Sequence, residues 1–200
     1  NHAPAHNNLG LVFKELEEPQ KALSCFQKAI EIQPNYGPTH NNLGQLFIEF
    51  KEFQKALNHC QKAIEIQPNH APTHNMLGLV FKELEIPHKA LDCFQKAIEI
   101  QPNFAAAHNN LGLVFKEIGE PQKAIKCYQK TIEIQPNYAP AHNNLGIEFR
   151  QLREREKAIS CYKKALEIEP NSIAAQTNIS NIYTSQLDNL EKAISESYKT

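Results

Sequence analysis

Two kinds of side chain recur at spacings that invite a chemical reading. Cys25, Cys60, Cys93, Cys127 and Cys161 return every 33 to 35 residues, and His6, His40, His74, His108 and His142 every 34. Thiolate and neutral imidazole both ligate zinc, and imidazole titrates near neutral pH. Zinc sites, however, need tight ligand pairs and a metal–nitrogen bond of about 2 Å, while equivalent residues on neighbouring helices lie roughly 10 Å apart. That separation also defeats disulfides, whose Cα atoms stand closer than about 7 Å. The cysteines are therefore expected as small buried hydrophobes in a reducing, cytoplasmic compartment. The histidines are expected as flat rings packed between helices, and neither a metal nor any other cofactor is expected. No nucleophile, base and orienting acid converge in a motif, and no glycine run forms a phosphate loop, so no catalytic residue is assigned and the chain is expected not to be an enzyme.

Such regular spacing implies regular elements beneath it. The run Ala-Ile-Glu-Ile-Gln-Pro-Asn occurs at Ala29, Ala63 and Ala97, with variant copies at Thr131 and Ala165. A repeat of 34 residues follows, with units 3–36, 37–70, 71–104, 105–138 and 139–172 and a degenerate capping unit over 173–200, all within one array spanning 1–200. In the first unit Leu9, Phe13 and Leu16 mark the apolar stripe of one helix, and Ala22, Leu23, Phe26, Ala29 and Ile30 that of a second. Pro4 suits the first turn of the first helix, and Pro34-Asn35 stops the second. A lone hairpin cannot bury its stripe, so the units must stack and share a core.

These residues resemble the tetratricopeptide repeat. The resemblance rests on the period, on the Leu-Gly pairs ending at Gly10, Gly44, Gly78, Gly112 and Gly146, and on the aromatics from Phe13 to Phe149. It rests also on the small residues from Ala22 to Ala158 and the prolines from Pro34 to Pro170. The departures are the five histidines, where the family usually has a large aromatic, and Cys60 in place of a second-helix ring. The resemblance implies an all-α fold, a right-handed α-solenoid superhelix of five full hairpins and a degenerate sixth. It also implies a concave wall of first helices that receives extended peptides.

Rotation by 100° per residue leaves an arc of each first helix opposite the core. That arc carries adjacent amides at Asn7 and Asn8, Asn41 and Asn42, Asn109 and Asn110, and Asn143 and Asn144, with Asn75 and Asn178 at the same two offsets and Met76 breaking the series. An apolar row follows at Leu11, Leu79, Leu113 and Ile147, interrupted by Gln45, and a basic row at Lys14, Lys82, Lys116 and Arg150, interrupted by Ile48. Partly exposed apolar rows with polar rims mark partner sites, and an amide donates to and accepts from a peptide backbone at once. The series at Asn8, Asn42, Asn110, Asn144 and Asn178 is similar to the asparagine ladder in the repeat arm of O-linked N-acetylglucosamine transferases. A second account has these amides bonding across neighbouring repeats. The basic row would select acidic groups, while Lys14-Glu18 and Lys116-Glu120 have the i, i+4 spacing of ordinary surface pairs. Asn7, Pro72 and Met76 stand where chaperone-tail-binding members carry cations, which argues against a carboxylate clamp.

A formal net charge of -1, from 21 basic and 22 acidic side chains, gives no bulk field for nucleic acid or an anionic membrane. No apolar run approaches the roughly 20 residues of a membrane span, and no basic and aromatic residues interleave on the free arc as single-stranded nucleic acid would require. The start, Asn1-His2-Ala3-Pro4, has neither Met nor a signal pattern and points to an excised fragment. The expected function is a scaffold binding a protein or peptide in its groove. The alternative is the substrate-recognition arm of a larger transferase, such as a glycosyltransferase, whose catalytic domain is not in this chain. Incomplete terminal repeats would allow end-to-end self-association. Replacing Gly112 by a large residue is expected to overpack its hairpin by about 1 to 3 kcal/mol, a loss that urea denaturation of the variant would read.

Overall fold

A computed structural model describes the backbone of residues 2–197 and the side chains of residues 2–185. It is all-α, with no strand among the described residues. The first hairpin is α1 (Ala3–Glu15) and α2 (Pro19–Ile32), followed by α3 (Gly37–Glu49) with α4 (Phe53–Ile66), and α5 (Ala71–Glu83) with α6 (Pro87–Ile100). Next come α7 (Ala105–Glu117) and α8 (Pro121–Ile134), then α9 (Ala139–Gln151) and α10 (Arg155–Ile168), and lastly α11 (Ile173–Ser197). The chain divides into two compact units, Asn1–Val114 and Phe115–Thr200, with the boundary inside α7.

In the first unit each first helix packs on its own second helix, α4 packs on α5 and α2 on α3, and the first helices α1, α3 and α5 touch in succession. In the second unit α9 packs on α8 and α10, and α11 packs on α9 and α10. The turn inside each hairpin passes through one left-handed residue, namely Glu17, Lys51, Glu85, Gly119 and Arg153. Four of the five are not glycine, which is why the sequence gives no sign of this turn.

The repeated glycine is explained by a ring. A Cβ built on Gly78 would stand 2.6 Å from Phe94 Cε1, and one on Gly146 would stand 2.6 Å from Tyr162 Cε1. The fully buried second-helix aromatic thus occupies the space that a Cβ on the first-helix glycine would need. What a side chain on the glycine would strike is this ring, not the opposing backbone. In the second repeat the ring is absent, and Cys60 Sγ and Met76 Sδ come to 2.8 and 3.2 Å of the Cβ position on Gly44. The two departures at Cys60 and Met76 therefore meet at one glycine. Each hairpin is also closed by a lysine of the second helix over the first-helix Phe, from Lys21 on Phe13 to Lys157 on Phe149, at 5.3 to 5.5 Å.

The histidines act as clips. Nε2 of His40, His74, His108 and His142 lies 2.8 to 2.9 Å from the carbonyl of Pro34, Pro68, Pro102 and Pro136, and Gln176 makes the same bond to Pro170. Each ties the start of a first helix to the end of the preceding second helix, satisfying a terminal carbonyl. His40 also shares a 3.0 Å contact with His59, whose burial first and the nearby His40 second push its pKa down to about 4.

The degenerate sixth unit is a single helix, α11, unbroken from Ile173 to Ser197, and one expectation about α1 needs correction. Ser180 occupies the glycine offset, and the displaced second-helix pattern puts Ser197 where the ring belongs, so neither partner of the glycine contact of the other repeats is present. In α1, Leu9 and Leu16 are exposed at 44% and 60%; Leu43 and Leu77, at the offset of Leu9, are buried where a hairpin precedes them, whereas Ile118 and Leu152, at the offset of Leu16, are exposed as well. Periodicity also misses a core row one position after the apolar row: Leu46, Val80 and Val114 are fully buried. The fifth repeat puts Glu148 in that row, also fully buried. Among the described residues neither of its carboxyl oxygens, nor the hydroxyl of Tyr128 or Tyr162, has a hydrogen-bond partner.

Burial pushes the Glu148 carboxyl pKa up, partly offset by Lys116. The folded state therefore holds that proton more tightly than the unfolded chain does. Its contribution is full below the ordinary carboxylate pKa and is lost as pH rises through the raised folded value. Glu148→Leu, the residue of the second repeat, should gain about 1 to 3 kcal/mol at pH 7 and flatten that pH dependence, as thermal melts from pH 4 to 8 would register.

Candidate functional site

The face of the first helices is built differently in its amides and in its apolar row. Asn7 Oδ1 accepts from Thr39 Oγ1 and from Asn42 Nδ2, both at 2.9 Å. Asn41 Oδ1 accepts from Thr73 Oγ1 at 2.7 Å, and Asn75 Oδ1 from Asn110 Nδ2 at 3.0 Å. In the second unit Asn143 Oδ1 accepts from Asn178 Nδ2 at 3.0 Å. In each of these repeats the first asparagine presents its carbonyl to a donor of the next. Asn7 and Asn109 are 4% exposed and Asn110 is 9% exposed, whereas Asn41, Asn42, Asn75, Asn143, Asn144 and Asn178 are half-buried and Asn8 is exposed.

The amides of Asn42, Asn110 and Asn178 are therefore tied between repeats by one hydrogen, as the second account of the ladder has it. Asn42 and Asn178 keep the other amide hydrogen and Oδ1 without a bond among the described residues. The donors that sequence reasoning missed are Thr39 and Thr73, fully buried at an offset that alternates only between Thr and Ala. A small hydroxyl recurring two residues before an asparagine was the available signal.

The apolar row reaches the surface, with Leu11 at 38% exposure and Leu79, Leu113 and Ile147 half-buried. In the basic row Lys14 pairs across repeats, its Nζ meeting Glu49 at 2.8 Å. The i, i+4 pairs are not formed, since Glu18 binds Lys21 and Glu120 lies 3.4 Å from Lys123, each at i, i+3. Lys82 lies 3.4 Å from Glu83, and Lys116 and Arg150 are half-buried in α7 and α9.

A depression of about 360 Å³ opens on this face in the first unit, lined by Gln45, Ile48 and Glu49 of α3, Pro72, Asn75, Met76 and Leu79 of α5, and Phe104. Gln45, Ile48 and Met76 are the three residues that interrupt the apolar, basic and amide rows. All three interruptions fall in one place, giving a mostly apolar hollow with amides at its rim. The cysteines lie elsewhere, on the second helices. All are free thiols, and burial pushes Cys60 up to about 12 and Cys93, Cys127 and Cys161 up to about 11. Such thiols stay protonated and unreactive.

Tetratricopeptide repeat profiles match residues 3–36, 36–103, 105–138 and 139–172, and a further one matches 88–119. The chain belongs to the tetratricopeptide repeat family, and it has the protein-interaction fold of that family. Among solved structures it is similar to MamA at 28% identity, with a TM-score of 0.71 over 80% of this chain and 94% of that one. It also resembles YrrB, a TPR protein with an unusual peptide-binding site, at 24% identity and TM-score 0.67 over 88% and 90%. The thermophilic TPR protein TTC0263 of Thermus thermophilus, at 18% identity and TM-score 0.74 over 90% and 97%, shares the fold. A search of curated proteins by sequence finds no match. No described helix is long and apolar enough to cross a membrane.

Because Asn110 holds Asn75 across the repeat junction, Asn110→Ala should destabilise the fold by about 1 kcal/mol, with no comparable loss for exposed Asn8→Ala; paired denaturation curves would compare them.

Proposed function

We propose that this chain is a scaffold, without a reaction of its own, that holds an extended segment of another protein along its first helices. An apolar side chain of that segment sits in the depression between α3 and α5. The observation that carries this reading is the coincidence of Gln45, Ile48 and Met76, the three breaks in otherwise regular rows, around one hollow. A repeat array has no structural need to break three patterns together. A guest that requires an apolar seat there supplies one.

Half-buried amides at Asn41, Asn42 and Asn75 stand near enough to solvent to bond a passing main chain, and Leu11, Leu79, Leu113 and Ile147 offer further apolar contact. This is the mode in which side-chain pockets give specificity and backbone bonds give affinity. The similarity in fold to YrrB adds that a peptide-binding site has been built on this architecture.

Random 12-residue peptides selected by display against the immobilised chain should share an apolar anchor residue. The double variant Ile48→Lys, Met76→Asn restores the repeat pattern and fills the hollow with polar groups; it should bind the selected peptides about tenfold or more weakly by fluorescence anisotropy. Equal affinity for both proteins would remove the depression from the account.

A further inference from the structure

Arginine occurs three times in the sequence, at positions 150, 153 and 155. All three line one depression of about 460 Å³ in the second unit, together with Asn181, Ile182 and Ser185 of α11. At the same three offsets the fourth repeat has Lys116, Gly119 and Pro121, the third Lys82, Glu85 and Pro87, the second Ile48, Lys51 and Phe53, and the first Lys14, Glu17 and Pro19. The fifth repeat alone is arginine at every one.

The placement runs against ordinary helix chemistry. Arg155 is the first residue of α10, where three other repeats put the proline suited to that position and where the helix dipole disfavours a cation. Arg153 is the left-handed residue of the turn. The usual neutralising partner is also missing. Lys14 is paired by Glu49 of the next repeat, and the residue standing in the same relation to Arg150, thirty-five positions on, is Ser185. Glu154 binds Lys157, and among the described residues no acidic side chain lines the depression. Among the described residues none of the three guanidinium groups makes an ion pair or hydrogen bond. Most other cations of the chain sit beside a glutamate, as Lys28, Lys62, Lys96, Lys130 and Lys164 do.

We infer that this depression is a binding site for a phosphate monoester, carried as a phosphorylated serine or threonine on a partner protein. Three guanidinium forks offer more donors than the two oxygens of a carboxylate can accept. A phosphate monoester brings three terminal oxygens and a charge near -2, and Asn181 and Ser185 supply uncharged donors at the rim. Nucleic acid is the poorer fit, because it needs a basic track with stacking rings, and among the described residues the hollow has one basic cluster and no aromatic lining. The carrier rests on the reading of this chain as a peptide-binding scaffold, whereas the anion site is in the other unit and stands or falls separately.

The test uses the full chain and a variant copied from its own fourth repeat, Arg150→Lys, Arg153→Gly, Arg155→Pro, whose residues already occupy the corresponding turn at Lys116, Gly119 and Pro121. Degenerate peptides with a fixed central phosphoserine, serine or glutamate are titrated by anisotropy, and inorganic phosphate by NMR of the arginine Nε–Hε signals. The expected result is saturable movement of those three signals with phosphate and about tenfold or greater preference for the phosphoserine library, lost in the variant while its circular dichroism is unchanged. Equal binding of phosphoserine and glutamate libraries would overturn the phosphate assignment. Phosphoserine preference surviving in the variant would overturn the location. Unmoved arginine signals would overturn the site itself, leaving the apolar depression of the first unit untouched, and loss of display-selected binding with the phosphate response intact would sink that reading alone.

Discussion

An aromatic ring in the space left by a glycine closes the hairpin, and the arrangement of everything else follows from that contact. With no Cβ on Gly78, Phe94 can lie against α5 and be fully buried. The two helices then meet closely enough for Lys89 to cover Phe81 and for the alanines of the second helix to seat in the interface. Where the ring shrinks to Cys60, a neighbour from the next repeat, Met76, moves into the space. Where glycine and ring are both serine, at 180 and 197, the chain does not turn back and α11 continues as one helix.

Joining hairpins is the work of polar groups rather than of apolar area alone. Histidine to proline carbonyl, threonine to asparagine, and asparagine to asparagine all run between one repeat and the next. Each such bond contributes only about 1 kcal/mol, but being buried and directional they fix the register of one hairpin on another, which packing of alanines would leave loose. The result is a wall of first helices whose residues are held at set heights, so that a change at one offset in one repeat alters one place on the wall. The apolar depression at α3 and α5, made by changes in two adjacent repeats, and the arginine cluster at the α9–α10 turn, made by changes in one, are both local departures from a regular background.

The buried carboxyl of Glu148 between two phenols runs against that economy. It adds an unsatisfied polar group to a core row that is otherwise Val or Leu, and Tyr replaces Phe on the second helices of the fourth and fifth repeats. Burial pushes the phenol pKa values up, with the Glu148 charge adding to the effect, so the three groups share one poorly solvated space.

The sequence by itself determined the repeat, its period, the helical hairpin and the glycine, because these depend on local propensity and on a pattern that returns in register. It also marked the arc on which Asn42, Leu79 and Lys14 lie, since rotation about a helix axis needs no partner. Only the tertiary structure decided which atoms of those residues are already used. The bond from Asn42 to Asn7 spans 35 residues and that from Thr39 spans 32, and Lys14 prefers Glu49 on the next helix to Glu18 on its own chain segment. The left-handed residue in each turn was likewise illegible, as Glu85 and Arg153 adopt it without the glycine that would have announced it. Periodicity reports which face of a helix is apolar; the identity of the neighbour facing it is set by stacking, and stacking is what brings Gln45, Ile48 and Met76 to one hollow.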